Sequence, residues 1–143
     1  MSLRAARELR FGDTDDGGFG FRLREEFREN RGAKLTNAEG KTGARQIWGQ
    51  PSAWTHYEAV IDGRPYGAAI LSHPSNLRHP AGWHAGNYGL NSANPFAASS
   101  FAEEKGSRRG EYLHPDKATL QLRYRVILHP GTCDIASRYR QWT

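Results

Sequence analysis

The stretch Trp54–Leu71, WTHYEAVIDGRPYGAAIL, decides the fold class. In an extended chain Trp54, His56, Glu58 and Val60 fall on one face, and Thr55, Tyr57, Ala59 and Ile61 on the other. Asp62-Gly63 then supplies the residue pair that tolerates positive φ at both centres of a tight turn. Tyr66–Leu71 returns as the partner strand. The spacing predicts an antiparallel β-hairpin.

The same period of two recurs on both sides. Phe19, Phe21 and Leu23 alternate with Arg22 and Arg24 in a strand predicted over Phe19–Glu25, with Gly20 marking a close backbone approach or a bulge. GDTDDGG before it is a polar turn, and a short strand is expected over Ala33–Asn37. Further on, Glu111–Leu113 starts a strand that breaks at His114-Pro115. Thr119–Leu128 is expected to be the longest strand, with Leu120, Leu122, Tyr124, Val126 and Leu128 inward and Gln121, Arg123 and Arg125 outward. After Pro130-Gly131, Thr132 is placed to cap a last helix carrying Ile135, Tyr139 and Trp142 at helical spacing. The expectation is one domain over residues 1–143: all-β, an antiparallel β-sandwich with one short C-terminal helix. Residues 1–10 are expected to fray, and residues 97–109 to form an exposed connection.

Composition agrees with a turn-rich β-protein. The 143 residues include 16 glycines, the hydrophobic share is only 37%, and four Trp, six Tyr and six Phe supply much of the buriable surface. The net charge of +5 is dispersed, because arginines at 22, 24 and 28 alternate with Glu25, Glu26 and Glu29. No basic footprint or recognition motif accompanies it, so no nucleic-acid partner is expected. Cys133 is the only cysteine, which excludes an intrachain disulfide and a Cys-based zinc cluster. No apolar run approaches a membrane span and no signal-peptide h-region opens the chain. A soluble protein is expected, with the compartment open between cytoplasm and periplasm.

Between the hairpin and the last strand lies His73–Phe96, HPSNLRHPAGWHAGNYGLNSANPF. It concentrates three of the six histidines, and Pro74, Pro80 and Pro95 with Gly82, Gly86 and Gly89 interrupt any helix or strand ladder. With few apolar residues it is expected to be a polar loop system outside the core. It either lines a site or braces a corner. His84 is the first candidate for acid–base work, with Trp83 offering a flat apolar face beside it. As a pocket-lining residue His84 is expected to support little packing. Arg78 and His79 suit a carboxylate or hydroxyl, and Asn87 and Asn94 suit hydroxyls or turns. Tyr88 suits the rim. Trp54 and His56, with Glu58, share a strand face that would place them in a cleft. His73, His79 and His84 also raise a metal site, but their spacing matches no metal motif, and neither metal nor cofactor is expected.

Four blocks in order, GDTDDGGFGFRL, FRENRGAKLTNAEGKTG with Trp48-Gly49, the 73–96 stretch and LRYRVILHPG, together resemble the bacterial DUF6807 family, often labelled methane oxygenase PmoA-like. A membrane oxygenase subunit would need apolar spans that this chain lacks. The resemblance implies a sandwich related to the galactose-mutarotase-like supersandwich and a family that binds or processes carbohydrate. Members are typically about twice as long, so the chain resembles the carboxy-terminal half. Where the family pattern has an Arg-Asp pair after Trp-His, Gly86 and Asn87 stand here.

Mutarotase-like chemistry would set a Glu opposite a His, which makes Glu111 the candidate partner of His84. The implied function is binding or acid–base processing of a saccharide or sugar-derived small molecule. The alternatives are a non-catalytic glycan- or partner-binding module and a His-ligated metal enzyme. Half of a supersandwich would also expose sheet edges, from which a homodimer is expected.

Overall fold

The computed structural model describes residues 1–102 and 109–143. In chain order the elements are β1 (Ser2–Arg4), β2 (Leu9–Phe11), β3 (Phe19–Arg22), β4 (Lys34–Asn37), α1 (Ala44–Ile47), β5 (Trp54–Ile61), β6 (Arg64–Ser72), β7 (Gly82–Ala85), β8 (Leu90–Asn94), β9 (Tyr112–His114), β10 (Thr119–Gln121), β11 (Tyr124–Pro130) and α2 (Ile135–Arg140). Two short 3-10 turns precede β4. Every strand pair is antiparallel. A four-stranded sheet of order β11-β6-β5-β4 faces a three-stranded sheet of order β3-β8-β7, and two small ribbons, β1-β10 and β2-β9, flank them. This is the expected all-β sandwich. It closes with the expected C-terminal helix, and α1 is an addition.

The hairpin forms as expected. Asp62 and Gly63 take φ of 51° and 74°, and the pairing runs from Trp54↔Leu71 to Ile61↔Arg64. One face of this ribbon meets the smaller sheet: Tyr57, Ala68 and Ile70 pack with Leu35, Trp83, Ala85 and Ala93 in the main core. The other face carries Ala69 and Leu71, which pack with Ile135 of α2. Asp134 caps α2 by accepting from the Ser137 N–H at 2.9 Å.

The largest difference from the sequence reading lies in residues 73–96. Instead of a loop system outside the core, this stretch contributes β7 and β8, and Trp83 is 0% exposed at the centre of the sandwich. Its indole N–H donates to the Ser52 carbonyl at 2.8 Å. The stretch escapes an apolar pattern because its buried positions are filled by small or amide side chains, Ala85, Ala93, Asn91 and Asn94. Asn91 is sustained there by Thr55, whose hydroxyl donates to Oδ1 at 2.6 Å across the two sheets.

Three further expectations are corrected. Residues 1–10 are paired with β10 and β9 rather than frayed. The expected strand Thr119–Leu128 is two strands, and β6 is the longest. Val126 and Leu128 lie opposite Ile70 and Ala68, so they do point to the inner face, yet they are 43% and 71% exposed because the narrower sheet stops short of them. Leu120 and Leu122 are buried as expected, in a cluster with Phe96, and Tyr124 is covered by stacking on Phe19 at 4.6 Å. The expected exposed connection begins with a buried Ala97, and Phe101 packs edge-on against Trp48; residues 103–108 lie outside the described residues.

Replacing Trp83 by Phe leaves the buried Ser52 carbonyl without its donor and part of the indole volume empty. The expected cost is roughly 2–4 kcal/mol, measured as a loss of stability in urea unfolding; an unchanged midpoint would contradict this packing.

Candidate functional site

Alternation in β7 turns Trp83 inward and His84 outward. The outer face of the smaller sheet therefore carries His84, Ser92 and Gly20 side by side, in the register His84↔Ser92↔Gly20. Gly20 has no alternative there. A Cβ at that position would stand 2.4 Å from the Ser92 Cβ, which confirms the close approach read from the sequence.

The polar turn 13–18 folds over this face, and side chains of β7 and β8 hold it. Asn94 donates to the Thr14 and Asp15 carbonyls at 2.9 and 3.2 Å, His84 Nδ1 lies 2.9 Å from the Asp15 carbonyl, and the Ser92 hydroxyl donates to the Gly17 carbonyl at 2.7 Å. Asp13 ties the other end of the turn, accepting from the backbone N–H groups of Ser99, Ser100 and Gly110. Burial pushes the Asp13 carboxyl up, but these donors outweigh it and hold the group below the usual carboxylate range.

Between turn and sheet lies a cavity of about 380 Å³, bordered by Asp16, Gly18, Gly20, Arg22, His84 and Ser92. A second, largely apolar cavity of about 260 Å³, walled by Leu3, Phe11, Phe96 and Leu122, shares Asp16, Gly17 and Gly18 with it. The turn is thus the partition between the two.

The tautomer of His84 follows from its neighbours. A carbonyl oxygen only accepts, so Nδ1 carries a proton, and in the neutral imidazole Nε2 keeps its lone pair. Tyr88 then donates its hydroxyl proton to Nε2, at 2.6 Å. The Arg22 guanidinium sits over the Tyr88 ring, 4.8 Å from its centre. Asp16 Oδ1 lies 4.0 Å from His84 Nδ1, on the side where an imidazolium would need a counter-charge. Trp48 packs edge-on against the imidazole at 4.3 Å. At 4% exposure His84 is buried, which corrects the expectation that it supports little packing.

Of the predicted site residues, the fold brings His84, Tyr88 and Asn94 together and disperses the rest. Trp83 belongs to the core. Arg78 is a brace, donating to the carbonyls of Pro95, Gly110 and Glu111. His79 lies toward α2, 3.3 Å from the Tyr139 hydroxyl, and Trp54 packs into the core beneath that helix. Asn87 is exposed in the β7–β8 turn, where its carbonyl accepts from Glu29 N–H. Glu111 pairs with Arg10 and does not border the cavity, so it is not placed opposite His84. His73 contacts Ser75 and Trp142 and lies near enough to His79 to add to the burial that lowers the His79 pKa, while His84 stands apart on the smaller sheet. No group of three His, Cys, Asp or Glu residues suited to a metal ion occurs among the described residues. Asp16, Arg22, Ser92 and Trp48 were not singled out from the sequence, although Asp16 and Arg22 stand in the first block of the family resemblance.

A family model described as "Family of unknown function (DUF6807)" matches residues 1–143, so the chain belongs to that family. No curated protein and no solved structure matches it.

His56 is on the opposite side of the molecule, on the outer face of the larger sheet. It is 5% exposed, and its Nε2 lies 2.9 Å from Nε2 of His129. His129 Nδ1 donates to the Gly131 carbonyl at 3.1 Å, so His129 Nε2 accepts and His56 Nε2–H donates. The two rings meet over Gly67, where a Cβ would be 2.1 Å from His129 Nε2. Burial drives the His56 pKa down to about 4; Glu58 opposes the shift, and His129 and Lys34 add to it. A depressed histidine pKa means that the unfolded chain takes up a proton first. Stability from this group is therefore full above the unfolded pKa of about 6.5 and is lost as pH falls toward 4. Going from pH 7 to about pH 5 is expected to cost on the order of 2 kcal/mol. Urea unfolding of wild type and His56→Gln across this range checks it: the variant should show a flatter pH dependence, and parallel curves would contradict the assignment.

Proposed function

We propose that this member of the DUF6807 family binds a saccharide or sugar-derived small molecule in the cavity between the 13–18 turn and the smaller sheet. The reading rests on one observation: His84, with its Nε2 bonded to Tyr88, borders a cavity that also carries Asp16 and Arg22, groups of opposite charge. A polyhydroxylated ligand offers donors to Asp16 and acceptors to Arg22, and charged partners make the stronger hydrogen bonds. The cavity volume, about 380 Å³, falls in the range of small-molecule sites. A relation to galactose-mutarotase-like sandwiches, implied by the family resemblance, belongs to the same reading.

The chemistry suited to the pair is removal of a proton from a ligand hydroxyl. The hydroxyl hydrogen passes to the Tyr88 oxygen as Tyr88 hands its own proton to His84 Nε2. The resulting imidazolium is held by the Asp15 carbonyl and the Asp16 carboxylate. For a hemiacetal, the proton taken from the anomeric hydroxyl is delivered back through the same pair to the ring oxygen as the C1–O5 bond breaks to the open aldehyde. Rotation about C1–C2 and the reverse transfers then reclose the ring as the other anomer. A second reading, a non-catalytic glycan-binding module, is favoured by one feature. Ser92, Asn94 and His84 Nδ1 already hold the turn, which leaves recognition to Asp16 and Arg22.

Calorimetric titration with a panel of neutral and acidic monosaccharides tests the binding. A ligand that binds wild type should bind Arg22→Ala or Asp16→Asn about tenfold or more weaker. Absence of binding by every sugar would overturn the proposal. Tyr88→Phe separates the two readings: the enzyme loses anomer exchange but keeps affinity, whereas the module shows no exchange even as wild type. His84→Ala should cost roughly 1–3 kcal/mol of stability by leaving the Asp15 carbonyl short of a donor. His84→Asn, whose amide nitrogen replaces Nδ1, should recover much of that loss.

A further inference from the structure

Three of the four outer edges in the two main sheets are short or covered. β4 is four residues long, carries Lys34 and is bridged to Thr42. β7 is covered by the segment that follows α1, where Gly49 N–H donates to the Trp83 carbonyl and Ser52 N–H to the Ala81 carbonyl. β3 is four residues long and centred on Gly20 and Phe21. β11 is different: seven residues, with β6 as its one strand neighbour among the described residues and no Lys, Pro or Gly before Pro130. These are the devices by which sheets normally protect their edges.

The direction of its backbone groups can be worked out. Beyond the two ends of the strand, Gly131 N–H donates to the Pro65 carbonyl and His73 N–H to the Arg123 carbonyl. Bonded positions alternate in an antiparallel ladder. Arg125, Ile127 and His129 therefore bond to β6, while Tyr124, Val126 and Leu128 turn their N–H and C=O groups away from the sheet. Val126 and Leu128 are also the exposed apolar side chains of the inner face.

We propose that β11 pairs with β11 of a second copy of this chain, antiparallel about a two-fold axis at Ile127, so that the larger sheet runs on through both molecules. This register is the one in which the strand complements itself. Val126 stands opposite Leu128 of the second copy in a bonded pair, and Ile127 meets its equivalent in a non-bonded pair. Tyr124 N–H faces the carbonyl of Pro130, the residue that has no N–H to offer. Arg125 stands opposite His129 rather than opposite another arginine, and its guanidinium is already drawn onto the Trp142 ring at 4.9 Å. Aliphatic cross-strand pairs and the absence of opposed like charges both favour association.

Sedimentation velocity over a dilution series tests the proposal. Wild type should move from dimer to monomer on dilution. Leu128→Lys adds a charge at a 71% exposed position, and Val126→Pro deletes an N–H that bonds nothing in its own sheet. Each should weaken the dimer by about tenfold or more. In the unaltered protein, amide exchange at Val126 and Leu128 should slow as concentration rises, a readout that does not depend on either variant folding. A wild type that stays monomeric throughout, with exchange at these amides independent of concentration, overturns the proposal. So does a dimer that persists unchanged in both variants.

Discussion

Trp83 is wedged between the two sheets with its indole N–H on the Ser52 carbonyl, and the candidate site depends on that anchor. In a strand, neighbouring side chains point to opposite faces. Holding Trp83 in the core therefore commits His84 to the outer face, beside Ser92 and Gly20. The bond to Ser52 also draws the segment after α1 along the β7 edge, and this brings Trp48 onto the His84 ring. One buried indole thus sets the position of the imidazole, its aromatic neighbour and the closure of one sheet edge.

The cavity is built from the same side chains that hold it together. A turn rich in Gly and Asp has little apolar surface of its own to fix its path. It is ordered by bonds from Asn94, His84 and Ser92 to three of its carbonyls, and by Asp13 at its far end. The glycines serve this arrangement differently. At Gly20 a side chain would collide with Ser92, and at Gly18, with φ of 80°, a Cβ would stand 2.1 Å from the Ala93 carbonyl. Backbone therefore lies close to backbone, and the polar groups of Asp16, Arg22 and His84 project around a space that larger residues would fill.

The sequence made the 54–71 hairpin legible because alternation and a turn pair that accepts positive φ coincide there. The family resemblance was legible too, in four ordered blocks. What misled was the assumption that burial needs apolar residues. Asn91, Ser92 and Asn94 are buried with partners contributed from residues 55, 17 and 14, contacts that no local pattern records. Arg78 is open in the sequence to two readings, a ligand-binding charge or a corner brace, and its guanidinium collects the carbonyls of a corner. Val126 and Leu128 were assigned to the right face, but alternation cannot say how far the opposing sheet extends. Alternation places Arg22 on the outward side of its strand, and the fold sets that side on the border of the cavity.

His84 is held with Nδ1–H on the Asp15 carbonyl and Nε2 on the Tyr88 hydroxyl, at the border of the cavity proposed to take a saccharide. Two-bond ¹H–¹⁵N spectra of the histidine side chains, recorded without and with saturating saccharide, test it most directly. The account predicts a protonated Nδ1 and an unprotonated Nε2 for His84 in the free protein, with the Nε2 resonance moving when a sugar binds. An Nε2–H tautomer, or a His84 signal unmoved by every sugar tested, would contradict it.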